Sequence, residues 1–188
     1  MKNLMIVLFI LMLSGNASAT AQFPDYLFYK GERFPIFSNP LESYFNAKNP
    51  RPSNLFAYSC TACWRGYVAT WKIEGGYLYL TKLNEGTCAS DSEEIPLSKI
   101  FPREDAPVKA VWFSGTLRIP QGKQLQYVHM GYGSVYEKEL LLTIEKGRLI
   151  KEDVIDNTKK DIPSDEEKTM EELKKLKDWE DSIKKEKN

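Results

Sequence analysis

Metal-binding side chains are scarce in this chain of 188 residues, which contains one histidine and three cysteines. A zinc site built from four Cys and His ligands would need every cysteine together with His129. Net charge is missing as well, because 26 Lys and Arg are matched by 26 Asp and Glu. No overall positive field therefore favours nucleic acid. We expect no metal, no cofactor and no nucleic-acid partner.

Long apolar runs are also missing, apart from a short one near the start. The run Leu4–Leu13 follows Lys2 and precedes the small residues Ala17-Ser18-Ala19. This layout is typical of a cleaved secretory signal, and such a run is too short to span a bilayer. We expect residues 1–19 to be removed by cleavage after Ala19, or after Ala21 as a second choice. The mature chain would then be periplasmic or secreted and would have no transmembrane segment.

Residues 20–157 consist largely of β-forming runs separated by short turns. Gly75-Gly76 and Lys146-Gly147 each divide two such runs, which is typical of hairpins. Asn39-Pro40 supplies an N-cap and a first-turn proline for a short N-terminal helix. We therefore predict a mainly β domain in which an antiparallel meander closes as a small barrel or sandwich.

The hairpin register suggests a disulfide. With Gly75-Gly76 as the loop, paired positions sum to 151, and Cys63 and Cys88 have the same sum. They would form a non-hydrogen-bonded pair, close enough for a cross-strand disulfide. We predict a Cys63–Cys88 link with Cys60 free. The alternative is a redox pair of Cys60 and Cys63, although such motifs normally open a helix rather than lead into a strand.

The C-terminal segment, residues 158–188, differs in composition from the β-rich region. Of its 31 residues 19 are charged, against 32 of 138 in residues 20–157. Apolar residues recur at helical spacing within it, at Met170, Leu173, Leu176, Trp179 and Ile183. We predict a charged C-terminal helix, which is either a solvated helix on the domain or a segment that docks a partner.

Candidate chemistry centres on the segment 127–136. His129 can act as a base near neutral pH, and Ser134 is the nearest nucleophile. Both are weak catalytic candidates, because Ser134 lacks a Gly-x-Ser-x-Gly elbow. Arg65 and Arg118 could bind an anionic group or could form surface ion pairs. Four further binding candidates lie in the segment: Tyr127, His129, Tyr132 and Tyr136.

Three stretches of the sequence resemble a family of uncharacterised bacterial proteins. They are Gly66–Ile73 (GYVATWKI), Ser114–Gly122 (SGTLRIPQG) and Tyr127–Glu137 (YVHMGYGSVYE). The resemblance covers residues 26–154 and excludes the charged segment. It implies a bacterial origin and a shared core, and it assigns no functional residue.

These patterns favour a non-enzymatic exported protein that binds a protein partner or a small ligand. An immunity or inhibitor protein is one concrete form of this hypothesis. Two alternatives stay open: a small hydrolase or transferase that uses His129, and a lipid or small-molecule carrier with an apolar cavity inside a barrel.

The signal pattern makes a prediction about the mature N-terminus. When the full chain is expressed in a bacterium, the exported protein should begin at Thr20 or at Gln22, because small residues precede both positions. Intact-mass measurement and N-terminal sequencing of the periplasmic fraction check this. A protein that keeps Met1 and stays in the cytosol would contradict it.

Overall fold

The computed structural model describes residues 21–56, 60–87, 92–128 and 131–160, and further along the chain residues 170, 173–179 and 183. Residues 1–19, expected to form the signal, lie outside the described residues. These described residues contain eight strands: β1 (Asp25–Tyr29), β2 (Glu32–Ile36), β3 (Tyr67–Glu74), β4 (Tyr77–Glu85), β5 (Val108–Lys109), β6 (Gly115–Gln126), β7 (Val135–Glu145) and β8 (Arg148–Asp156). Three short 3-10 helices lie between them: Pro40–Tyr44, Thr61–Cys63 and Leu97–Lys99.

All eight strands belong to one sheet, so the expectation of a mainly β domain is confirmed. Its strand order is β2-β1-β3-β4-β8-β7-β6, and β5 pairs with β4. Neighbouring strands are antiparallel except β1 and β3, which run parallel with Tyr26 opposite Thr70. The fold is therefore not the simple antiparallel meander predicted from the turns.

The sheet is not closed into a barrel, and that part of the prediction is wrong. A barrel needs a continuous ladder around its circumference. Here β4 and β8 share the single residue pair Tyr77 and Arg148. The first and last strands of this order are β2 and β6. Phe37, the residue after β2, donates its backbone amide to the carbonyl of Arg118 in β6 at 2.7 Å.

The hairpins and the core agree with the sequence pattern. β3 and β4 pair around Gly75-Gly76, and β7 and β8 pair around Lys146-Gly147 with Ile144 opposite Leu149. Trp71 is fully buried, as its place in the β3 alternation predicts. Buried apolar side chains from seven of the eight strands share one core with it: Leu27, Ile36, Ala69, Leu80, Val108, Leu117 and Leu142.

The short N-terminal helix is wrong, because Pro40–Tyr44 is a 3-10 helix and makes no side-chain cap bond from Asn39. The Asn39 side-chain oxygen instead accepts a hydrogen bond from the Tyr132 hydroxyl at 2.9 Å. Near the C-terminus, residues 173–179 are helical as expected. None of the helices in the described part of the chain is long and apolar enough to cross a bilayer.

The predicted Cys63–Cys88 disulfide is wrong, because Cys63 is a free and buried thiol. Its sulfur lies 3.1 Å from the Tyr67 carbonyl oxygen, and burial raises the pKa of the thiol. Gly86 packs so closely over it that a Cβ there would lie 2.4 Å from the sulfur. Cys60 was expected to be a free thiol, but it has a bonding partner. Cys88 lies outside the described residues.

A β-bulge explains the failure of the register argument. Trp71 pairs with Leu80, as a sum of 151 requires, but Thr70 pairs with Lys82. Thr81 is the extra residue, and its hydroxyl donates to the Thr70 carbonyl at 2.9 Å. A one-residue bulge shifts every later pair. In addition β3 begins at Tyr67, so the ladder stops before it reaches Cys63.

The free thiol of Cys63 leaves one intramolecular disulfide open to the chain, and we predict that it joins Cys60 to Cys88. Peptide mapping of the exported protein without reduction should yield this linked pair. Iodoacetamide should modify Cys63 only after denaturation, because its side chain is buried. As a control, Cys63→Ser should keep the disulfide, whereas a recovered Cys63–Cys88 peptide would contradict the prediction.

Candidate functional site

A buried ion pair lies at the centre of the residues that the sequence singled out. Arg65 donates to the Asp25 carboxylate at 2.9 Å, and both side chains are fully buried. The same carboxylate accepts the Ala69 amide at 3.0 Å and the Trp71 indole N–H at 3.1 Å. Burial raises the pKa of the Asp25 carboxyl, and these charge and hydrogen-bond partners oppose that rise. The pair therefore ties the start of β1 to β3.

Tyr132 extends this network to the segment before β7. Its hydroxyl lies 3.2 Å from an Arg65 guanidinium nitrogen and 2.9 Å from both the Phe23 carbonyl and the Asn39 side-chain oxygen. Burial raises the pKa of the Tyr132 hydroxyl to about 12, so it stays protonated at neutral pH. Tyr132 thus acts as a hydrogen-bonding link between three segments.

Arg118 holds the same segment from the β6 side. Its guanidinium makes two bonds to the Glu139 carboxylate, of 2.7 and 2.5 Å. It also donates to the Tyr132 carbonyl at 2.6 Å and to the Ser134 carbonyl at 2.8 Å. Phe37 lies beside the guanidinium and stacks on the Tyr132 ring. The Arg118 guanidinium therefore donates its hydrogen bonds to a carboxylate and two backbone carbonyls of the protein itself.

Several of the predicted site residues lie close together, and the polar groups of most of them form hydrogen bonds within the protein. Ser134 is 7% exposed, and its hydroxyl accepts the Val128 amide at 3.0 Å. Tyr136 donates to the Gln124 side chain at 3.1 Å, and Tyr127 is exposed at the surface. His129 lies outside the described residues. Arg65 and Arg118, for which the sequence left anion binding and ion pairing open, both form ion pairs within the protein.

A separate groove of about 460 Å³ lies between residues 44–52 and residues 99–104. No pattern in the sequence predicts it. Its floor is aromatic and its rim is cationic, formed by Tyr44, Phe45 and Phe101 with Lys48, Lys99 and Arg103. This size and composition match a small-ligand site, in which apolar walls are combined with a few charged groups.

The floor of the groove is held by aromatic packing. Tyr44 lies 4.6 Å from the Phe101 ring, and Phe101 stacks on Trp112 with centroids 5.2 Å apart. Behind the wall, Arg51 bonds both oxygens of Glu42 at 2.6 and 2.7 Å. These contacts fix the side chains that a ligand would touch.

The rim of the groove carries charge that no ion pair within the described part of the chain neutralises. Within the described residues, Lys48, Lys99 and Arg103 form no ion pair, and all three are exposed. One acid, Glu104, also lines the groove. Burial, with a smaller contribution from Glu104, raises the pKa of Tyr44. Three cations against one acid favour an anionic ligand.

The sequence contains a weak local signal for this groove. Pro50-Arg51 and Pro102-Arg103 are two Pro-Arg pairs in irregular segments, and each follows a lysine by a few residues. The prolines of the first segment indicate only that it lacks regular structure. Nothing in the sequence indicates that the two segments face each other.

The buried pair predicts a large effect of Asp25→Asn on stability. This change should lower the free energy of unfolding by about 3–5 kcal/mol, because it leaves the Arg65 charge buried without its counter-ion. Urea unfolding at neutral pH measures it. The double variant Asp25→Asn/Arg65→Met should recover part of the loss, because it removes that charge.

A matched control is Glu94→Gln, which removes an exposed pair with Lys82. It should change the free energy of unfolding by less than about 1 kcal/mol. The framework role of the buried pair is refuted if Asp25→Asn is no more harmful than this control.

Comparison with known proteins leaves the functional argument to the geometry of the chain itself. No family model, curated protein or solved structure matches this chain. The resemblance of the three segments to a bacterial family therefore stays an expectation.

Proposed function

We propose that the protein is a non-enzymatic, exported binding protein. Its ligand carries an anionic group next to an apolar or aromatic body, and it binds in the groove between residues 44–52 and 99–104. The observation that carries this proposal is the set of three cations, without ion-pair partners among the described residues, around a packed aromatic floor. An immunity or inhibitor protein, which binds a segment of another protein, is one form of this function.

Two observations favour binding over the alternatives drawn from the sequence. Ser134 is buried and its oxygen accepts a backbone amide, which is a poor setting for a nucleophile that must meet a substrate. The carrier hypothesis required an apolar cavity inside a barrel, and the sheet is not closed into one. Neither observation bears on His129.

Export rests on the pattern of residues 1–19. The contacts of the next residues are consistent with cleavage after Ala19, because Ala21 forms a backbone bridge with Gly131. Gln22 adds a side-chain bond to the Thr61 carbonyl at 2.8 Å. A mature chain that starts at Thr20 would keep both contacts.

Ligand chemistry in the groove can be tested with small probes. We predict that N-acetylphenylalanine, which has a ring and a carboxylate, shifts the amide NMR signals of residues 44–52 and 99–104. Its amide, N-acetylphenylalaninamide, should shift them at least about 5-fold less at equal concentration, because it lacks the charge that the rim attracts.

The variant Arg103→Gln should weaken binding of the acid and leave the small effect of the amide unchanged. A control is Lys138→Gln, since Lys138 is an exposed lysine on β7, outside the groove. Equal shifts with acid and amide, or loss of binding in the control, would argue against the proposal.

A further inference from the structure

A second surface of the sheet carries a regular pattern that the groove does not involve. Five adjacent strands, in the order β2-β1-β3-β4-β5, place one residue each in a single row across the sheet. The pairs along this row are Arg33 with Phe28, Phe28 with Lys72, Lys72 with Tyr79, and Tyr79 with Lys109. Cations and aromatic rings alternate along its whole length. We call these five residues the cation-aromatic row.

The row lies on the outer face of the sheet. Along each strand side chains alternate between faces, and the residues next to the row, Leu27, Trp71 and Leu80, are fully buried. Phe28 is 44% exposed, which is high for a large apolar side chain. Arg33 and Lys72 are exposed as well.

The cations at the two ends of the row are held in position by neighbouring tyrosines. The Arg33 guanidinium lies 3.5 Å from the centre of the Tyr26 ring, and the Lys109 ammonium lies 3.1 Å from that of Tyr77. The middle cation, Lys72, pairs with Glu74 at 2.6 Å, where both side chains are exposed. Exposed pairs of this kind are weak and can be exchanged for a ligand anion.

The spacing of the row follows from sheet geometry. Adjacent strands lie about 4.8 Å apart, so cations on alternate strands are about 10 Å apart, with one ring between them. A ligand that fits must therefore present a negative charge on every second unit and a ring-shaped unit in between. A glycan chain with a carboxylate on alternate sugars has this arrangement, whereas a single-stranded nucleic acid carries a phosphate at every nucleotide.

We propose that the cation-aromatic row binds an acidic polysaccharide whose charge falls on alternate sugars. The three cations would meet its carboxylates, and Phe28 and Tyr79 would pack against the sugar rings between them. A depression of about 370 Å³ adjoins the row at Arg33, and Thr70 and Asn84 line it. Their polar groups suit sugar hydroxyls. This surface is separate from the groove of the proposed function, and either can fail without the other.

The test uses the full-length mature protein and hyaluronan oligosaccharides, which carry a carboxylate on every second sugar. Isothermal titration calorimetry at low salt should show binding that weakens as NaCl rises. Polygalacturonate of equal length should bind no more tightly despite its twofold higher charge. Neutral cello-oligosaccharides and single-stranded oligothymidylate should bind at least about 10-fold more weakly than hyaluronan, since each lacks one part of the pattern.

Variants of the row separate this interaction from general charge attraction. Arg33→Gln and Lys109→Gln should each weaken hyaluronan binding about 3- to 10-fold, and so should Phe28→Ser. The matched control Lys138→Gln removes one exposed lysine from β7 and should leave affinity unchanged. Thermal unfolding of each variant confirms that it is folded. If Phe28→Ser does not fold, the two charge variants carry the test.

Three results would overturn the proposal. The first is the absence of any hyaluronan binding. The second is tighter binding of polygalacturonate or oligothymidylate, which would mean that charge density or bases are recognised. The third is equal affinity of Arg33→Gln, Lys109→Gln and the Lys138→Gln control.

Discussion

The ion pair between Asp25 and Arg65 is the interaction on which the rest of the fold depends. Two fully buried charges are costly to desolvate, and they are tolerated because each also has hydrogen-bond partners. The carboxylate accepts an amide from β3 and the Trp71 indole, and the guanidinium reaches Tyr132. One donor stays unpaired, since the Nε atom of Arg65 is buried without a hydrogen-bond partner among the described residues. A buried ion pair of this kind is weak evidence for net stability, and we infer that its role is to fix one arrangement of the strands.

The arrangement that the ion pair fixes is the parallel contact between β1 and β3. A hairpin would have made neighbouring strands antiparallel, but the long connection 37–66 lets β3 return beside β1 in the same direction. Arg65 comes just before β3, and Asp25 opens β1, so one bond aligns the two strand starts. Tyr132 then brings the segment before β7 to the same point. The starts of β1 and β3 and the segment before β7 thus meet near one buried charge pair.

Local features of this fold could be predicted from sequence, and long-range ones could not. The turns at Gly75-Gly76 and Lys146-Gly147 depend on two residues each and on the alternation beside them, so they were predicted correctly. The disulfide prediction was wrong because a single extra residue, Thr81, shifts the ladder of hydrogen-bonded pairs. No residue type in the sequence predicts a bulge at this position. Arg65 illustrates a different gap, because one sequence does not distinguish a buried ion pair from a surface one.

The candidate surfaces show the same division. The groove exists only because two irregular segments meet, and neither predicts the other. The cation-aromatic row, by contrast, has its origin in the core. An inner row of Phe34, Leu27, Trp71, Leu80 and Val108 runs across the same five strands, one residue away in each. The packing that buries Leu27, Trp71 and Leu80 side by side sets the register of the strands that carry the row.

That register determines which outward-facing side chains lie opposite each other on neighbouring strands. The cation-aromatic row therefore keeps its alternation as long as the inner row stays packed. The bulge matters for the same reason. It falls between Thr70 and Trp71, just before the inner row, and it displaces the pairs on the Cys63 side alone. Two residues further along β3, between Lys72 and Ile73, the same bulge would have moved Lys72 out of line with Tyr79. The defect that separates Cys63 from its predicted partner therefore leaves the surface row intact.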